Sequence, residues 1–428
     1  MDSITLNAYA KINPALDVVG VRPDGYHEVR MLLQQIELHD VITLTKSAQP
    51  GVRLSVTYAA QEKSDCIGDT NPSVTRRVTV FAPLRSASNG RPQDVRRPLL
   101  GEPNDSGSVP SDASNLACRA AQRLIDACGI REGVDIALEK HIPAAAGLAG
   151  GSTDAAAVLK GMNTLFGLGL SEAELRAHGL ALGADVPFCI LGGCALAEGI
   201  GERLTPQSPI PPCRILLVKP PVGVSTGAVY HALDAVADFV RHDSDADIDA
   251  GITVGTHSDA DAAAGSRHYD IDAADAGAHS DADGASGITH ADIDAAAAGA
   301  HSDADATAGI THADIDAAAA GTYSDANAAA GITHPDIDAA IAACAAGDLA
   351  ALCRCMGNIL ETVTVPLLPR LSAIRTALLN AGAEGAMMSG SGPTMFGLFS
   401  DPDAADAAKM SLSKAFPDCR IILTRPIG

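Results

Sequence analysis

Apolar and polar residues alternate along the N-terminal part of the chain with the two-residue period that is typical of β-strands. Residues 4–20 predict two strands separated by a polar break at residues 11–14, and residues 32–44 predict another strand. A Pro-Asp-Gly sequence at residues 23–25 is a tight-turn signature. Residues 59–114 then become polar and rich in Pro, Ser, Gly and Arg, which predicts a long surface loop with one short strand.

The stretch HIPAAAGLAGGSTDAAA, residues 141–157, combines a strand end, a glycine-rich turn and the opening of a helix. Gly147, Gly150 and Gly151 let a backbone approach a ligand without interference from a Cβ atom. Unpaired N–H groups and the positive end of a helix dipole make such a turn a phosphate-binding site. It is not a Walker A loop, because no Gly-Lys-Ser/Thr follows the glycines. The alternative is a flexible turn of small residues.

Helical and strand patterns alternate through the rest of the chain. Asp185 lies in a short link flanked by Gly and Pro, ahead of an apolar strand. A Pro-rich break at 206–213 indicates a domain boundary. Residues 336–361 are predicted to be helical throughout, and residues 383–428 read as strand, glycine turn, strand, helix and strand. This order predicts an α+β domain with an antiparallel sheet.

Residues 242–335 differ in kind from the rest of the chain. Short sequences such as GITHADIDA and HSDAD recur with a 22-residue period, and the last copy is GITHPDIDA at 331–339. Because it has little large apolar content, the segment is predicted to be a mobile acidic insert. The alternatives are weak binding of divalent metal by its His and Asp residues, and a repeat solenoid.

Charge and composition narrow the classes of function. The net charge is −22, but residues 242–330 hold 18 Asp, no Glu, no Lys and one Arg, which leaves about −5 for the rest. That remainder gives no indication of a nucleic-acid partner. No apolar run approaches the roughly 18 residues of a membrane span, and the N-terminus lacks a signal-peptide pattern. The ten Cys lack metal-ligand or redox spacing, so reduced thiols in the cytoplasm are expected.

Three separated motifs resemble the signatures of the GHMP kinases: NAYAKINPALDVVGVRPDGYHEV, IPAAAGLAGGSTDAAA and MSGSGPTMFGLF. Within that family, PDGYHE and the intervening LGADVPFC resemble the branch that acts on a cytidine-diphospho sugar alcohol. The match covers the chain outside the 62–112 loop and the 242–335 insert. It implies ATP-dependent phosphorylation of the 2-hydroxyl of cytidine-diphospho methylerythritol, in the non-mevalonate pathway to isoprenoids.

The resemblance also implies a fold and partners. The expected architecture is α+β with a ribosomal protein S5 domain 2-like N-terminal domain (1–208) and a ferredoxin-like C-terminal domain (209–428) that the insert interrupts. ATP with Mg²⁺ and the small-molecule acceptor are the expected partners, with no nucleic acid and no membrane. A cytoplasmic monomer or homodimer is expected. The alternatives are a kinase for another small alcohol, of the homoserine or mevalonate type, and a non-catalytic sensor.

Two residues are the catalytic candidates. Phosphoryl transfer requires positioning, charge neutralisation and an acceptor for the alcohol's proton. Asp185 is the candidate base, because it is a carboxylate in a Gly/Pro-flanked link rather than on a solvated helix face. Lys11 fits as the cation that keeps Asp185 ionised and stabilises charge near the reacting oxygens. The alternatives are a structural cap for Asp185 and an ordinary surface Lys for Lys11.

The glycine-rich turn is expected to wrap the ATP phosphates, and a hydroxyl of Ser152 or Thr153 to reach the magnesium ion. The residues assigned to the nucleotide are Pro143, Ala144, Ala145, Ala146, Gly147, Leu148, Ala149, Gly150, Gly151, Ser152 and Thr153. Asp154 is either part of this site or only a helix cap. No metal site formed by the protein alone is expected.

For the acceptor, the amide of Asn13 is expected to hold the polyol. The rings of Tyr26 and Tyr230 and the imidazole of His27 are expected to bind the cytosine. The glycine turn of Gly390, Ser391 and Gly392 is expected to close the site. The alternatives are structural: a turn before Pro14, an anchored N-terminal hairpin, and a tight hairpin at 389–393.

Two departures from the family pattern bear on the site. Relatives often have Asp where this chain has Ser114, so any role of that Asp is absent here. The turn reads GLAGGSTD rather than the commoner GLGGGSSD, which places Ala149 where Gly is usual. Alanine is expected to be tolerated there only if its backbone is not left-handed.

Overall fold

The computed structural model of the protein describes residues 1–22, 25–58, 80–81, 110, 113–234 and 334–428. Three interpretations of the sequence fall outside these ranges. They concern the turn residues 23–24, most of the polar loop, and the repeats before residue 334.

Two sheets carry the fold. The strands of the first are β1 Ser3–Val21, β2 His27–Ser47, β3 Val52–Tyr58, β4 Val80–Phe81, β5 Gly133–Lys140, β6 Cys194–Gly199, β7 Arg203–Pro206 and β9 Gly357–Asn358; those of the second are β8 Arg214–Lys219, β10 Gly385–Met388, β11 Met395–Phe399 and β12 Arg420–Thr424. In the first sheet the order is β4-β3-β5-β2-β1-β9, and β6 joins β7 to β2. The second sheet is antiparallel throughout, as the sequence predicts. Its strand order is β10-β11-β8-β12.

Helices lie against both sheets. The described helices are α1 Leu116–Cys128, α2 Gly150–Phe166, α3 Glu172–Leu180, α4 Val186–Leu191, α5 (226–234), α6 Ile337–Ala346, α7 Leu349–Cys355, α8 Glu361–Leu367, α9 Arg370–Asn380 and α10 Pro402–Ala415. Helix α2 contacts β1 and β2, while α9 and α10 contact the second sheet. The predicted capping box of α3, Ser171 with Glu174, is present. Within the described ranges, no helix combines the length and apolar content that a bilayer crossing needs.

The two sheets share a buried apolar cluster. Ile12 and Leu32 of the first sheet belong to the same cluster as Ile215, Leu217 and Phe396 of the second. Burying these side chains together fixes the two sheets relative to each other, because each lost contact costs free energy. The cleft residues described below therefore lie on elements with a fixed mutual geometry.

The predicted break between two N-terminal strands is wrong, because β1 is a single strand that runs through it. Its pairing with β2 shifts register between Tyr9 and Lys11 and again between Ile12 and Ala15. Pro14, which has no N–H to donate to a ladder, lies within the second shift. Bulges thus accommodate the polar residues of this stretch within one strand. The Lys11 side chain is buried.

The segment 336–361 is also not helical throughout. Helix α6 ends at Gly347, which has a left-handed backbone (φ 68°), and Asp348 then caps α7 by accepting from the N–H of Ala351. The segment continues into the short strand β9. A Gly-Asp pair combines a helix stop with a helix start, and this local signal outweighs the continuous Ala-rich pattern.

The last repeat copy is part of the folded structure from residue 334. His334 places Nδ1 2.7 Å from Oδ1 of Asp17 on β1. Arg30 of β2 donates two hydrogen bonds to the Asp338 carboxylate, at 3.0 and 2.6 Å. The described part of the final GITHPDIDA copy, residues 334–339, therefore docks onto the first sheet, and its first two residues belong to the predicted 242–335 insert.

We predict that Ile337→Ala lowers the free energy of unfolding by about 3 kcal/mol, because this residue is the buried apolar anchor of the docked copy. Urea titration followed by circular dichroism measures the change. Ile341→Ala is the matched control, since its side chain on the same helix is only partly buried and should lose less than half as much. Equal losses in the two variants would contradict the anchoring role.

Candidate active site

The glycine-rich turn leads into α2 with its helix N-terminus open. Ala149 precedes the helix and makes no side-chain capping bond, and the first turn holds no acidic residue. The first helical hydrogen bond runs from the N–H of Thr153 to the carbonyl of Ala149, at 2.9 Å. Helix geometry therefore leaves the N–H groups of residues 150–152 outside the helix's own bonds, where they can bind an anion.

Two alanines of this turn have left-handed backbones, Ala145 with φ 46° and Ala149 with φ 58°. The condition under which Ala149 would replace Gly without strain is therefore not met. A left-handed non-glycine residue costs roughly 1–2 kcal/mol, because its Cβ atom crowds a carbonyl oxygen. The turn keeps this conformation because other contacts hold it.

One of those contacts is the turn near the C-terminus. A Cβ atom at Gly147 would lie 2.1 Å from the carbonyl oxygen of Ser389, so only glycine permits the approach. The Ser389 hydroxyl donates a 3.0 Å hydrogen bond to the carbonyl of Gly147. The predicted nucleotide turn and the predicted SGSGP turn are thus in direct contact, although they are more than 240 residues apart in the chain.

Two further side chains hold the 389–393 turn. Asn358 donates 2.8 Å to the carbonyl of Gly390, and the Ser391 hydroxyl lies 2.9 Å from that of Thr226. Gly390 and Gly392 have φ 55° and 86°, so the turn needs its glycines. Position 390 also faces the cleft, since a Cβ atom there would lie 3.4 Å from Nζ of Lys11.

Lys11 and Asp185 meet beside these turns. Nζ of Lys11 lies 3.7 Å from Oδ2 of Asp185, with the Lys side chain 5% and the Asp side chain 32% exposed. The N–H of Lys11 donates to the carbonyl of Leu148 within the glycine-rich turn, at 3.2 Å. The structure thus brings together the two residues predicted to be catalytic, with the carboxylate open to the cleft.

Asp185 does not lie in a link before a strand, as the sequence suggests, but directly precedes α4. Its side chain makes no capping hydrogen bond, so the structural cap proposed as the alternative is not observed. This helix is only six residues long, and the proline at its start, Pro187, resembles in sequence the proline of a link. Proline is in fact well suited to the first turn of a helix.

Asn13 is fully buried, with 0% exposure. Its Oδ1 accepts a 2.9 Å hydrogen bond from Nζ of Lys11, and its Nδ2 lies 3.3 Å from the sulfur of Met31. In this arrangement the amide orients Lys11. Its predicted contact with the polyol remains a prediction, and it requires Nδ2 to exchange the sulfur for the ligand.

Aromatic and imidazole groups form a second cluster of site residues, on β2 and α5. The rings of His27 and Tyr230 lie 4.8 Å apart at 38°, and Nε2 of His27 is 2.7 Å from Oδ1 of Asp234. Burial, and after it the charge of Asp185, raise the pKa of the Tyr230 hydroxyl, so this ring stays neutral. Tyr26 is half-buried beside His27, and its carbonyl accepts from the N–H of Arg22.

Sequence reasoning missed two residues that hold the site. Asp234 follows Tyr230 by four residues in a helix, so the two share a face, and that spacing is a signal that was available. Asn358 has no such signal, because it follows a helix and reaches the SGSGP turn only through the parallel pairing of β9 with β1.

Asp154 neither caps α2 nor faces the cleft. It is buried, and its Oδ2 accepts a 2.7 Å hydrogen bond from Nζ of Lys140, which also binds Asp40. Strand alternation already places Lys140 on the inward face of β5 with Val134, Ile136 and Leu138. That signal could have identified a buried lysine directly before the glycine-rich turn.

Comparisons with known proteins agree with this geometry. The family model described as "GHMP kinases N terminal domain" matches residues 115–193, and "GHMP kinases C terminal" matches residues 340–418. A 4-diphosphocytidyl-2-C-methyl-D-erythritol kinase of Geobacillus thermodenitrificans is 34% identical, covering 92% of this chain and 88% of that protein. One of Acetivibrio thermocellus is 32% identical, covering 99% of this chain and all of that protein.

The fold has solved counterparts. A crystal structure of 4-(cytidine 5'-diphospho)-2C-methyl-D-erythritol kinase aligns with a TM-score of 0.56 at 24% identity, over 99% of this chain and 100% of that one. A homoserine kinase from Cytophaga hutchinsonii aligns with a TM-score of 0.52 at 17% identity, over 100% and 95%. The chain belongs to the GHMP kinase family, whose members are ATP-dependent kinases that act on alcohol groups.

We predict that Gly147→Ala lowers kcat/KM for ATP by at least about 100-fold, because the added Cβ atom must separate the two turns. Steady-state kinetics at varied ATP measure the loss. Gly167→Ala is the matched control, since Gly167 is also left-handed (φ 62°) but faces open space. It should lose stability and keep its kinetics. Similar kinetic losses in both variants would contradict the role of the contact.

We also predict that Ala149→Gly raises the free energy of unfolding by about 0.5–1 kcal/mol, by relieving the left-handed strain. Thermal or urea unfolding measures this gain. Ala144→Gly, at a position outside the left-handed region, should instead lower stability by a similar amount. A loss of stability in the first variant would show that Ala149 is not strained.

Proposed function

We propose that this kinase transfers the γ-phosphoryl group of ATP to the 2-hydroxyl of 4-diphosphocytidyl-2-C-methyl-D-erythritol, a step of non-mevalonate isoprenoid synthesis. The observation that carries the reaction type is the Lys11–Asp185 pair beside two glycine turns in contact. The acceptor is supported by the names of the curated relatives and by the contact between the His27 imidazole and the Tyr230 ring.

The turn and the start of α2 suit a polyphosphate. The N–H groups of Gly150, Gly151 and Ser152 would hold phosphate oxygens, aided by the helix dipole. Thr153 donates its hydroxyl 2.7 Å to the carbonyl of Tyr9 and is buried, so Ser152 is the better residue to reach a magnesium ion. ATP supplies the transferred group, and Mg²⁺ neutralises charge on its phosphates.

Asp185 acts as the base that takes the proton of the 2-hydroxyl as its oxygen attacks phosphorus. Lys11 stabilises the negative charge that develops on the phosphoryl oxygens. The 3.7 Å between Nζ of Lys11 and Oδ2 of Asp185 is longer than a direct hydrogen bond. Both groups can therefore form hydrogen bonds with a substrate beside them. The Lys11–Asn13 hydrogen bond keeps the ammonium in place.

Base recognition falls to the His27–Tyr230 pair and to Tyr26. His27 and Tyr26 follow the β1–β2 turn, and Tyr230 approaches from α5, so cytosine would lie between the two halves of the chain. A carboxylate of Asp234 on Nε2 of His27 favours a proton there and leaves Nδ1 as the acceptor for the base's amino group.

The free thiols of all nine described cysteines support a cytoplasmic location, and a monomer or homodimer is proposed.

Kinetics with purified protein, ATP and magnesium test this proposal. We predict ADP release with 4-diphosphocytidyl-2-C-methyl-D-erythritol, and at least a 100-fold lower kcat/KM with homoserine or mevalonate, which have no base for the His27–Tyr230 end. Lys11→Ala and Asp185→Asn should each lower kcat by at least about 100-fold, since each removes a group that acts in the transition state.

Lys46→Ala is the control for the loss of a positive charge, because Lys46 pairs with Glu132 away from the cleft. It should keep the wild-type rate. Preferred turnover of homoserine or mevalonate would favour the alternative acceptors, and ATP binding without any phosphoryl transfer would indicate a sensor.

A further inference from the structure

A buried ionic cluster lies beneath the glycine-rich turn. Asp40 of β2, Lys140 at the end of β5 and Asp154 of α2 are 0%, 4% and 1% exposed. Strand alternation turns Asp40 and Lys140 inward, because Ile42 and Leu138 on the same faces are core residues. None of the three reaches the cleft, so the proposed chemistry leaves the cluster unexplained.

The cluster contacts the chain on both sides of the turn. Oδ1 of Asp40 accepts from the backbone N–H groups of His141 and Ile142, the latter at 2.8 Å. Oδ2 of Asp40 accepts from Nζ of Lys140, and Nζ also donates 2.7 Å to Oδ2 of Asp154. One carboxylate therefore binds the entrance of the turn directly and its exit through a lysine.

The exit is close to the residues that would bind phosphate. A Cβ atom at Gly150, the first residue of α2, would lie 3.4 Å from Nζ of Lys140. The turn between these two fixed points contains the left-handed Ala145 and Ala149. Strained backbone persists only where the surroundings hold it, and the cluster supplies that restraint at both ends.

We propose that Asp40 is a positioning residue for ATP binding: through Lys140 and Asp154 it fixes both ends of residues 143–149 in the conformation that receives the phosphates. This inference rests on the proposed role of the turn as the nucleotide site. It assigns no contact with substrate to Asp40.

The surroundings shift the pKa values of two groups of the cluster, Asp154 and Lys140. Burial, and then the neighbouring Asp40 carboxylate, raise the pKa of Asp154, although Lys140 opposes the shift. Burial lowers the pKa of Lys140, but its two acidic partners offset this, and the net direction is upward. Asp154 therefore binds a proton more readily than an ordinary aspartate, and Lys140 keeps its proton.

The two acids also differ in what an amide can replace. Asn at position 40 has one acceptor oxygen, so it can serve either Lys140 or the two backbone N–H groups, but not both. Asp154 uses only Oδ2, and its buried Oδ1 has no hydrogen-bond partner. Asn at position 154 keeps the bond to Lys140, which makes Asp154→Asn the matched control for Asp40→Asn.

Calorimetric titration with ATP and steady-state kinetics of the full-length chain test the inference. We expect Asp40→Asn to raise both the Kd and the KM for ATP at least about tenfold, while the KM for the cytidine acceptor changes less than twofold. Asp154→Asn should bind ATP within about threefold of wild type. A purely structural role would lower the melting temperature without this split between the two KM values.

The inference is wrong if folded Asp40→Asn binds ATP like wild type, or if both KM values rise equally. A wild-type protein that binds no ATP would instead overturn the proposed function itself. If Asp40→Asn does not fold, Asp40→Asn with Lys140→Met removes the uncompensated charge, and the same rise in the Kd for ATP is expected. Wild-type affinity in that double variant would also refute the inference.

Discussion

The contact between Gly147 and Ser389 sets the geometry of the whole site. A backbone carbonyl of one turn occupies the space that a side chain at position 147 would need, and a serine hydroxyl bonds across the same boundary. Lys11 is tied to the first turn through the carbonyl of Leu148 and lies against Gly390 of the second. Lys11 is therefore in contact with both turns, and the contact between the turns fixes the surroundings of the catalytic pair.

The relative position of the two turns depends on apolar side chains that are buried away from the site. Ile12 of β1 and Phe396 of β11 share one apolar cluster, so the two sheets cannot move apart without exposing it. Beneath the first turn, the Asp40–Lys140–Asp154 cluster holds a backbone that contains two left-handed alanines. The apolar core and the ionic cluster thus stabilise a strained turn at the site.

Sequence patterns reached much of this arrangement and failed for identifiable reasons. Alternation and capping signals predicted β2, α2 and α3, because those segments follow local preferences. The bulges of β1 escaped prediction, since Pro14 signals a break unless the partner strand is known. The contacts of Asn13 with Lys11 and Met31 also escaped prediction, because tertiary packing rather than a local pattern creates them.

The repeats illustrate the same limit from another side. The sequence places the boundary of the insert inside the last copy, at residue 335, yet His334 on one side of it and Asp338 on the other bind Asp17 and Arg30 of the first sheet. The partners that order a segment can lie more than 300 residues away, where no local pattern records them.

The central claim is that Lys11 and Asp185 act as one unit on the transferring phosphoryl group. A double-mutant cycle on the single-turnover rate with Lys11→Met and Asp185→Asn measures their coupling directly. The account predicts strong non-additivity, with the double variant hardly slower than either single variant. Rate losses that simply multiply would show two independent residues and contradict it.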